Sequence, residues 1–158
     1  MPKPKVYLET TISSYLTAWP SRDLVTAAHQ QVTRDWWEKR RHDFDLFISA
    51  VVIEEASAGD EHAAVRRLEA VSELPLLELT DEVTAVAKTF VERGVIPAEK
   101  GEDALHIAAA VVHGIDYLLT WNLSHIAKAE ARNRIEGLCR SIGYEPPIIC
   151  TPEELLER

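Results

Sequence analysis

Acidic and amide side chains recur where the predicted elements of this chain end. Glu9 follows the first apolar run, Glu54 and Glu55 follow the second, and Asn122 comes directly after a later one. Asp103 lies in the first turn of the helix that leads into that later run. In a parallel sheet the carboxyl ends of the strands share one edge, so we expect these side chains to converge. Carboxylate and amide oxygens are the ligands of Mg²⁺ or Mn²⁺, and such sites leave positions for a substrate phosphate. The pattern therefore indicates a divalent-cation site.

Each of these residues also has a purely structural interpretation. A carboxylate in a first helical turn, such as Asp103, is favoured by the helix dipole without any ligand. Glu54 and Glu55 point about 100° apart on a helix, so only one of them can face the strand ends. Both glutamates can equally well face solvent.

The elements that must position these side chains alternate regularly. Short apolar runs are separated by helical patterns whose ends carry capping residues, glycine or proline. This alternation predicts an α/β fold with a mainly parallel sheet and helices on both faces. The hydroxyl residues between 10 and 14 suit either a helix cap or a loop. Strands are predicted at 5–8, 46–49, 76–79, 117–120 and 148–150, and helices at 23–41, 50–59, 61–72, 81–93, 101–114, 126–142 and from 151 onwards.

Length and composition predict one domain over residues 1–158. A net charge of −9 argues against a protein that coats nucleic acid, but acids that hold a cation add to that count, so a nuclease is compatible. The basic residues 39–41, and Arg132 with Arg134, either meet phosphates or form solvated helix faces.

The sequence shows no apolar run of membrane-spanning length and no secretory leader. The pair Cys139 and Cys150 is expected to be reduced and part of the packing. These features predict a cytoplasmic protein that does not associate with a membrane.

Motifs of other common α/β chemistries are absent. The sequence has no GxGxxG or GxxxxGK[ST] loop for nucleotide phosphates and no GxSxG nucleophile elbow. The first strand is followed by Glu-Thr-Thr, where an aspartyl phosphatase would need two spaced aspartates.

The chain resembles the PIN-domain nucleases, and among them the VapC-type toxins of toxin–antitoxin pairs. The resemblance runs through four segments in the expected order and spacing, along most of the chain. They are residues 6–11 (VYLETT), Ile48-Ser49 with Glu55 six residues after Ser49, residues 103–110 (DALHIAAA) and residues 118–122 (LLTWN). The resemblance implies a three-layer α/β/α sandwich on a parallel sheet, in which one or two Mg²⁺ or Mn²⁺ ions support the cutting of single-stranded RNA.

Carried over by position, the resemblance makes Asp103, Glu55 and Glu9 the expected catalytic acids. The expected metal ligands are Glu9, Glu55, Asp103 and Asn122, with Thr11 at the usual Asn or Ser, Thr120 at the strand end, and His125, His106 and Glu54 as accessory candidates.

Several of these positions depart from the family pattern. Glu9 replaces the usual aspartate and is longer by one methylene, and Asn122 supplies an amide oxygen without charge. His125 stands where many relatives have aspartate, and either approaches a phosphate or partner or is a structural surface residue. His106 is expected to pack beside Asp103.

The resulting prediction is a metal-dependent endoribonuclease, with the role of a toxin as a further expectation. The alternative is a PIN scaffold that binds RNA or an antitoxin without cleaving, and a third possibility is an α/β domain whose acids only cap helices. The expected partners are RNA, an antitoxin protein and a second copy of the chain, since relatives are often dimers.

Overall fold

The computed structural model describes residues 2–156 and contains a five-stranded sheet in which every neighbouring pair of strands is parallel. The spatial order is β3-β2-β1-β4-β5. The two central strands are in register, with Tyr7 opposite Leu118 and Leu8 opposite Leu119. The strands are β1 Lys5–Leu8, β2 Asp45–Ser49, β3 Leu76–Leu77, β4 Tyr117–Leu119 and β5 Ile148–Cys150.

Helices join each strand to the next and cover the sheet on both faces, which confirms the predicted three-layer α/β/α architecture. Short 3₁₀ turns at Arg41–Asp43 and Ala98–Lys100 lead into β2 and the sixth helix. The α-helices are α1 Thr10–Thr17, α2 Leu24–Arg40, α3 Ala50–Ala56, α4 Glu61–Val71, α5 Asp81–Glu92, α6 Gly101–Val112, α7 Ala129–Ser141 and α8 Pro152–Leu155.

Helix α1 is the main difference from the predicted elements, because one helix was expected between β1 and β2 and two are present. The hydroxyl-rich segment is helical rather than a loop. Its N-cap is Glu9, whose carboxylate accepts a hydrogen bond from the Thr11 backbone N–H. The residue at the end of β1 therefore also starts the next helix.

Helix α7 begins at Ala129, three residues later than predicted. The delay has a local cause, because the Asn122 side chain accepts hydrogen bonds from Ser124 N and His125 N. The backbone carbonyl of Asn122 then accepts from Ile126 N and Ala127 N. These contacts hold residues 122–127 in turns, and they would be lost if the helix began at residue 126 as predicted.

The sheet order places the topological switch between β1 and β4, since the chain moves outward from β1 to β3 and then returns to β4. Ligands of open α/β sheets bind beyond the carboxyl ends of the strands at such a switch. Here the Glu9 N–H donates to Leu119 O at 3.1 Å, which joins the two strand ends directly.

Apart from Lys5 and Tyr117 at their starts, the central strands are buried, and Val6, Tyr7, Leu8, Leu118 and Leu119 are each at most 1% exposed. Burial of a large apolar side chain contributes about 1.5–3 kcal/mol. The carboxyl ends of β1 and β4 therefore directly follow fully buried core residues. Cys139 and Cys150 are buried free thiols, as expected, and burial raises their pKa values to about 11 and about 12. Within residues 2–156 no helix is both long and apolar enough to cross a membrane.

Candidate metal centre

A cluster of ionisable side chains lies beyond the ends of β1 and β2. One potential ligand atom from each of Glu9, Glu55 and His106 lies within 4.8 Å of the others. They come from the residue after β1, the last turn of α3 and the second turn of α6. The fold thus brings together residues separated by about one hundred positions in the chain, and two of them, Glu9 and Glu55, were predicted as ligands.

Glu9 is buried, with 4% of its surface exposed, and one of its carboxylate oxygens is saturated with donors. Oε1 accepts from Thr11 N at 3.2 Å, from Thr11 Oγ1 at 2.5 Å and from Thr120 Oγ1 at 2.6 Å. Within the described part of the chain, Oε2 has no hydrogen bond. Three donors on one oxygen compensate the burial of the negative charge and leave the other oxygen available.

Thr11 and Thr120 also anchor the loop that follows β4. Thr11 Oγ1 accepts from Trp121 N at 2.8 Å, and Thr120 Oγ1 accepts from Asn122 N at 2.9 Å. Each hydroxyl therefore accepts from the loop and donates to Glu9. Both threonines were expected at this edge, and the structure places them as supports of Glu9.

Glu55 faces the cluster and Glu54 is exposed, as the helical geometry requires of neighbouring residues. Glu55 Oε1 accepts from Thr10 Oγ1 at 2.6 Å and lies 2.5 Å from His106 Nε2. Burial opposes ionisation of Glu55, but the hydrogen bonds from His106 and Thr10 outweigh it, so the pKa of the carboxyl is lowered. Glu55 is a carboxylate at neutral pH.

His106 is completely buried and has a partner on each ring nitrogen. Nε2 meets Glu55, and Nδ1 lies 2.6 Å from the hydroxyl of Tyr7, which lies 2.7 Å from Ser49 Oγ. Burial raises the pKa of Tyr7 well above its usual value, so Tyr7 remains a neutral phenol. His106 was expected to pack beside Asp103; it lies near that carboxyl, and it also joins Tyr7 to Glu55.

Asp103 lies in the first turn of α6 and is 8% exposed. It is not a member of the close group formed by Glu9, Glu55 and His106. Burial raises the pKa of its carboxyl, while the side chain of Asn122 and the nearby imidazoles of His106 and His125 act in the opposite direction. Its Oδ2 is buried and has no hydrogen-bond partner among the described residues. An unpaired buried carboxylate oxygen beside other acids fits a position that faces a cation.

Asn122 holds the loop after β4, and this limits its part as a ligand. Its Oδ1 accepts from Ser124 N at 3.2 Å and His125 N at 3.0 Å, so the oxygen expected to meet a cation is already occupied by backbone donors. The amide NH₂ is the group that remains for the Asp103 carboxylate, whose pKa Asn122 lowers. The interaction of Asn122 with Asp103 brings the start of α6 to the end of β4.

Sequence reasoning missed Tyr7, Thr10 and Ser49. The only signal was the run of hydroxyls after β1, which was interpreted as a cap or a loop. Within the two basic clusters, Arg40 bonds Asp43 and Leu155 O, and Arg132 bonds Ala127 O, Ile149 O and Glu154, while Lys39 and Arg134 are exposed.

The donor set fits a hard divalent cation. Glu9 Oε2 and Glu55 Oε2 carry no hydrogen bond within residues 2–156, and Asp103 Oδ2 is buried without a partner. Carboxylate oxygens with open coordination positions are what Mg²⁺ and Mn²⁺ bind in proteins.

Among solved structures, the chain is similar to a crystal structure of VapBC2 from Rickettsia felis. In that structure VapBC2 is bound to a DNA fragment from its promoter. The similarity has a TM-score of 0.60 and covers 93% of this chain and 98% of that chain, at 16% sequence identity. At this identity the likeness shows the fold alone. No curated protein sequence matches the chain significantly.

The model of the PIN domain family matches residues 7–135, which is well over half of the chain. The matched region contains Glu9, Glu55, Asp103 and Asn122. The resemblance seen in the sequence is thereby confirmed, and the chain belongs to the PIN domain family.

Proposed function

We propose that this chain is a metal-dependent endoribonuclease that cuts single-stranded RNA with Mg²⁺ or Mn²⁺. The observation that carries the proposal is the close pair of carboxylates Glu9 and Glu55, with the buried and unpartnered Oδ2 of Asp103 nearby, at the topological switch of a PIN domain. A buried carboxylate oxygen without a partner, such as Asp103 Oδ2, is costly in a protein that uses its acids only as helix caps.

Glu9, Glu55 and Asp103 are the residues that would hold the cation. When bound, a divalent cation lowers the pKa of water and neutralises charge that develops on the phosphate. Thr11 and Thr120 hold Glu9 in place, and Thr10 does the same for Glu55. Asn122 supports Asp103 through its amide group, and the partly buried His125 lies near Asp103.

The experiment compares Glu55→Gln with Glu54→Gln. These neighbouring substitutions remove the same charge, but only Glu55 faces the cluster. We expect purified wild-type protein and Glu54→Gln to cut single-stranded RNA in Mg²⁺, and Glu55→Gln to lose at least about 100-fold in rate. Equal rates for the two variants would contradict the site assignment, and absence of cleavage by the wild type in both metals would contradict the function.

A second candidate is a PIN scaffold that binds RNA or a protein without cleaving. It is favoured by Asn122, which contributes no charge and whose oxygen is engaged with the backbone. Calorimetric titration with Mn²⁺ separates the two functions, because a scaffold without a working site would not bind the ion at millimolar concentration. Binding of RNA without cleavage in the presence of bound Mn²⁺ would also favour the scaffold.

We further propose that the chain is a single-domain, cytoplasmic toxin neutralised by an antitoxin protein, and that it forms a homodimer. The structural similarity to VapBC2 and the PIN family membership support the toxin role. Exposed apolar side chains at the junction of α1 and α2, namely Trp19, Leu24 and Val25, supply surface for a protein partner. Growth arrest on expression, relieved by the product of a neighbouring small gene, tests the toxin role, and light scattering tests the dimer.

A further inference from the structure

We propose that His106 is a positioning residue. Its Nε2–H donates a hydrogen bond to Glu55, and the imidazole is not itself a ligand of the cation. The inference rests on the proposed metal site and assigns a role within it. The three-residue group that contains His106 allows two arrangements. In the first arrangement, His106 Nε2 binds the ion. In the second, His106 Nε2 donates a hydrogen bond to the Glu55 carboxylate, and the carboxylate binds the ion.

The hydrogen bonds of the metal-free protein support the second arrangement. Glu55 Oε1 lies 2.5 Å from His106 Nε2 and also accepts from Thr10. An ionised carboxylate is only an acceptor, so a contact this short needs a proton on Nε2. A nitrogen that carries a proton has no lone pair for a metal ion.

The partners of the other ring nitrogen are consistent with that proton. In a neutral ring, Ser49 donates to Tyr7, Tyr7 donates to Nδ1, and Nε2 donates to Glu55. In a doubly protonated ring, Nδ1 donates to Tyr7 and Tyr7 donates to Ser49. Both states satisfy every contact, and both place a proton on Nε2.

The chain of hydrogen bonds begins and ends on the same segment. Ser49 is the N-cap of α3 and accepts from Val51 N, while Glu55 lies in the last turn of that helix. Between them the chain passes through Tyr7 of β1 and His106 of α6. It therefore fixes the rotation of α3 relative to the central strand, and with it the position of Glu55 Oε2.

The first test is a nitrogen-15 NMR spectrum of the imidazole in the wild-type protein, without metal and with Mg²⁺. We expect the Nε2 proton to be present in both spectra, with its resonance shifted by Glu55→Gln in the metal-free protein. Loss of that proton on Mg²⁺ binding, or its absence without metal, would overturn the proposal.

The second test measures Mg²⁺ affinity by calorimetry in variants whose fold is checked by circular dichroism. Groups that orient metal ligands typically change affinity by about 10–100-fold, so we expect a loss in this range for Tyr7→Phe and His106→Leu. His106→Gln keeps an N–H donor and should recover most of the affinity that His106→Leu loses. Wild-type affinity in Tyr7→Phe would overturn the positioning chain.

These results are separable from the nuclease proposal. Absence of Mg²⁺ binding or of RNA cleavage by the wild type would contradict the nuclease. The metal-free spectrum would still show whether His106 donates a hydrogen bond to Glu55. Failure of the nuclease proposal and failure of the His106 proposal therefore give different results.

Discussion

The Thr120 hydroxyl donates a hydrogen bond of 2.6 Å to Glu9 Oε1 and so links the end of β4 to the acid that follows β1. Together with the two donors from Thr11, this bond holds a side chain that is one methylene longer than the usual aspartate. The fixed Oε1 restricts where Oε2 can lie. The longer residue is therefore compatible with a defined cation site, because the protein supplies the donors that orient it.

Replacement of Thr120 by valine tests this support. The change keeps the shape of the side chain and removes the hydroxyl, which leaves a buried carboxylate oxygen with fewer donors. We expect the free energy of unfolding to fall by about 1–3 kcal/mol and Mg²⁺ affinity to fall about tenfold. Urea denaturation and calorimetry measure the two effects.

Thr120→Ser is the matched control, because it retains the hydroxyl and should keep most of the Mg²⁺ affinity. If Thr120→Val loses stability but binds Mg²⁺ as the wild type does, Thr120 only supports the fold.

Asp103 is expected to reduce stability in the metal-free protein. Burial raises the pKa of its carboxyl, so the folded state keeps a proton at pH values where the unfolded chain has already lost it. The free energy of unfolding contributed by this residue therefore falls as the pH rises through that interval. At neutral pH without metal, Asp103→Asn should be more stable than the wild type by on the order of 1 kcal/mol.

Thermal unfolding at neutral pH and below pH 4 measures this difference. The advantage of Asp103→Asn should disappear at the lower pH, where the wild-type aspartate is protonated. If Asp103→Asn is less stable than the metal-free wild type at neutral pH, the claim that the buried Asp103 carboxylate lowers stability is wrong.

Asn122→Asp restores a charge at the end of β4. The new carboxylate can still accept from Ser124 N and His125 N with one oxygen, and it adds negative charge beside Asp103. We expect Mg²⁺ affinity to rise on the order of tenfold, because ligand charge tunes affinity for hard cations. The metal-free variant should be less stable, since two adjacent carboxylates repel each other.

Asn133→Asp adds the same charge at an exposed position of α7 and should leave Mg²⁺ affinity unchanged. Equal affinities for the two variants in calorimetry would show that Asn122 lies too far from the cation to contribute.

The ends of the strands were the most predictable part of the site. Apolar runs bounded by polar residues located β1 and β4, and the parallel α/β pattern was enough to expect Glu9, either Glu54 or Glu55, and Asn122 at one edge. The choice of Glu55 came from the resemblance to PIN domains. Helix α1 was missed because its cap is a glutamate that bonds the next turn through its side chain, and glutamate is not among the usual N-cap residues.

The donors that orient the acids were not predictable from the sequence. Tyr7 and His106 are 99 residues apart and read as ordinary members of a buried strand and a buried helix. Their contact depends on the packing of α6 against β1, which local patterns do not describe. The amide of Asn122 is a similar case, because its orientation depends on the turn that delays α7.

The most direct test of a metal-dependent nuclease is cleavage of single-stranded RNA by the wild type and by Asp103→Asn, each with Mg²⁺ and with a chelator. Asp103→Asn should fold and, without metal, should be at least as stable as the wild type, so lost activity would not reflect lost structure. The proposed site predicts rapid cleavage only by the wild type with Mg²⁺, and a loss of at least about 100-fold in the variant. Undiminished cleavage by Asp103→Asn, or cleavage by the wild type that persists in the chelator, would contradict it.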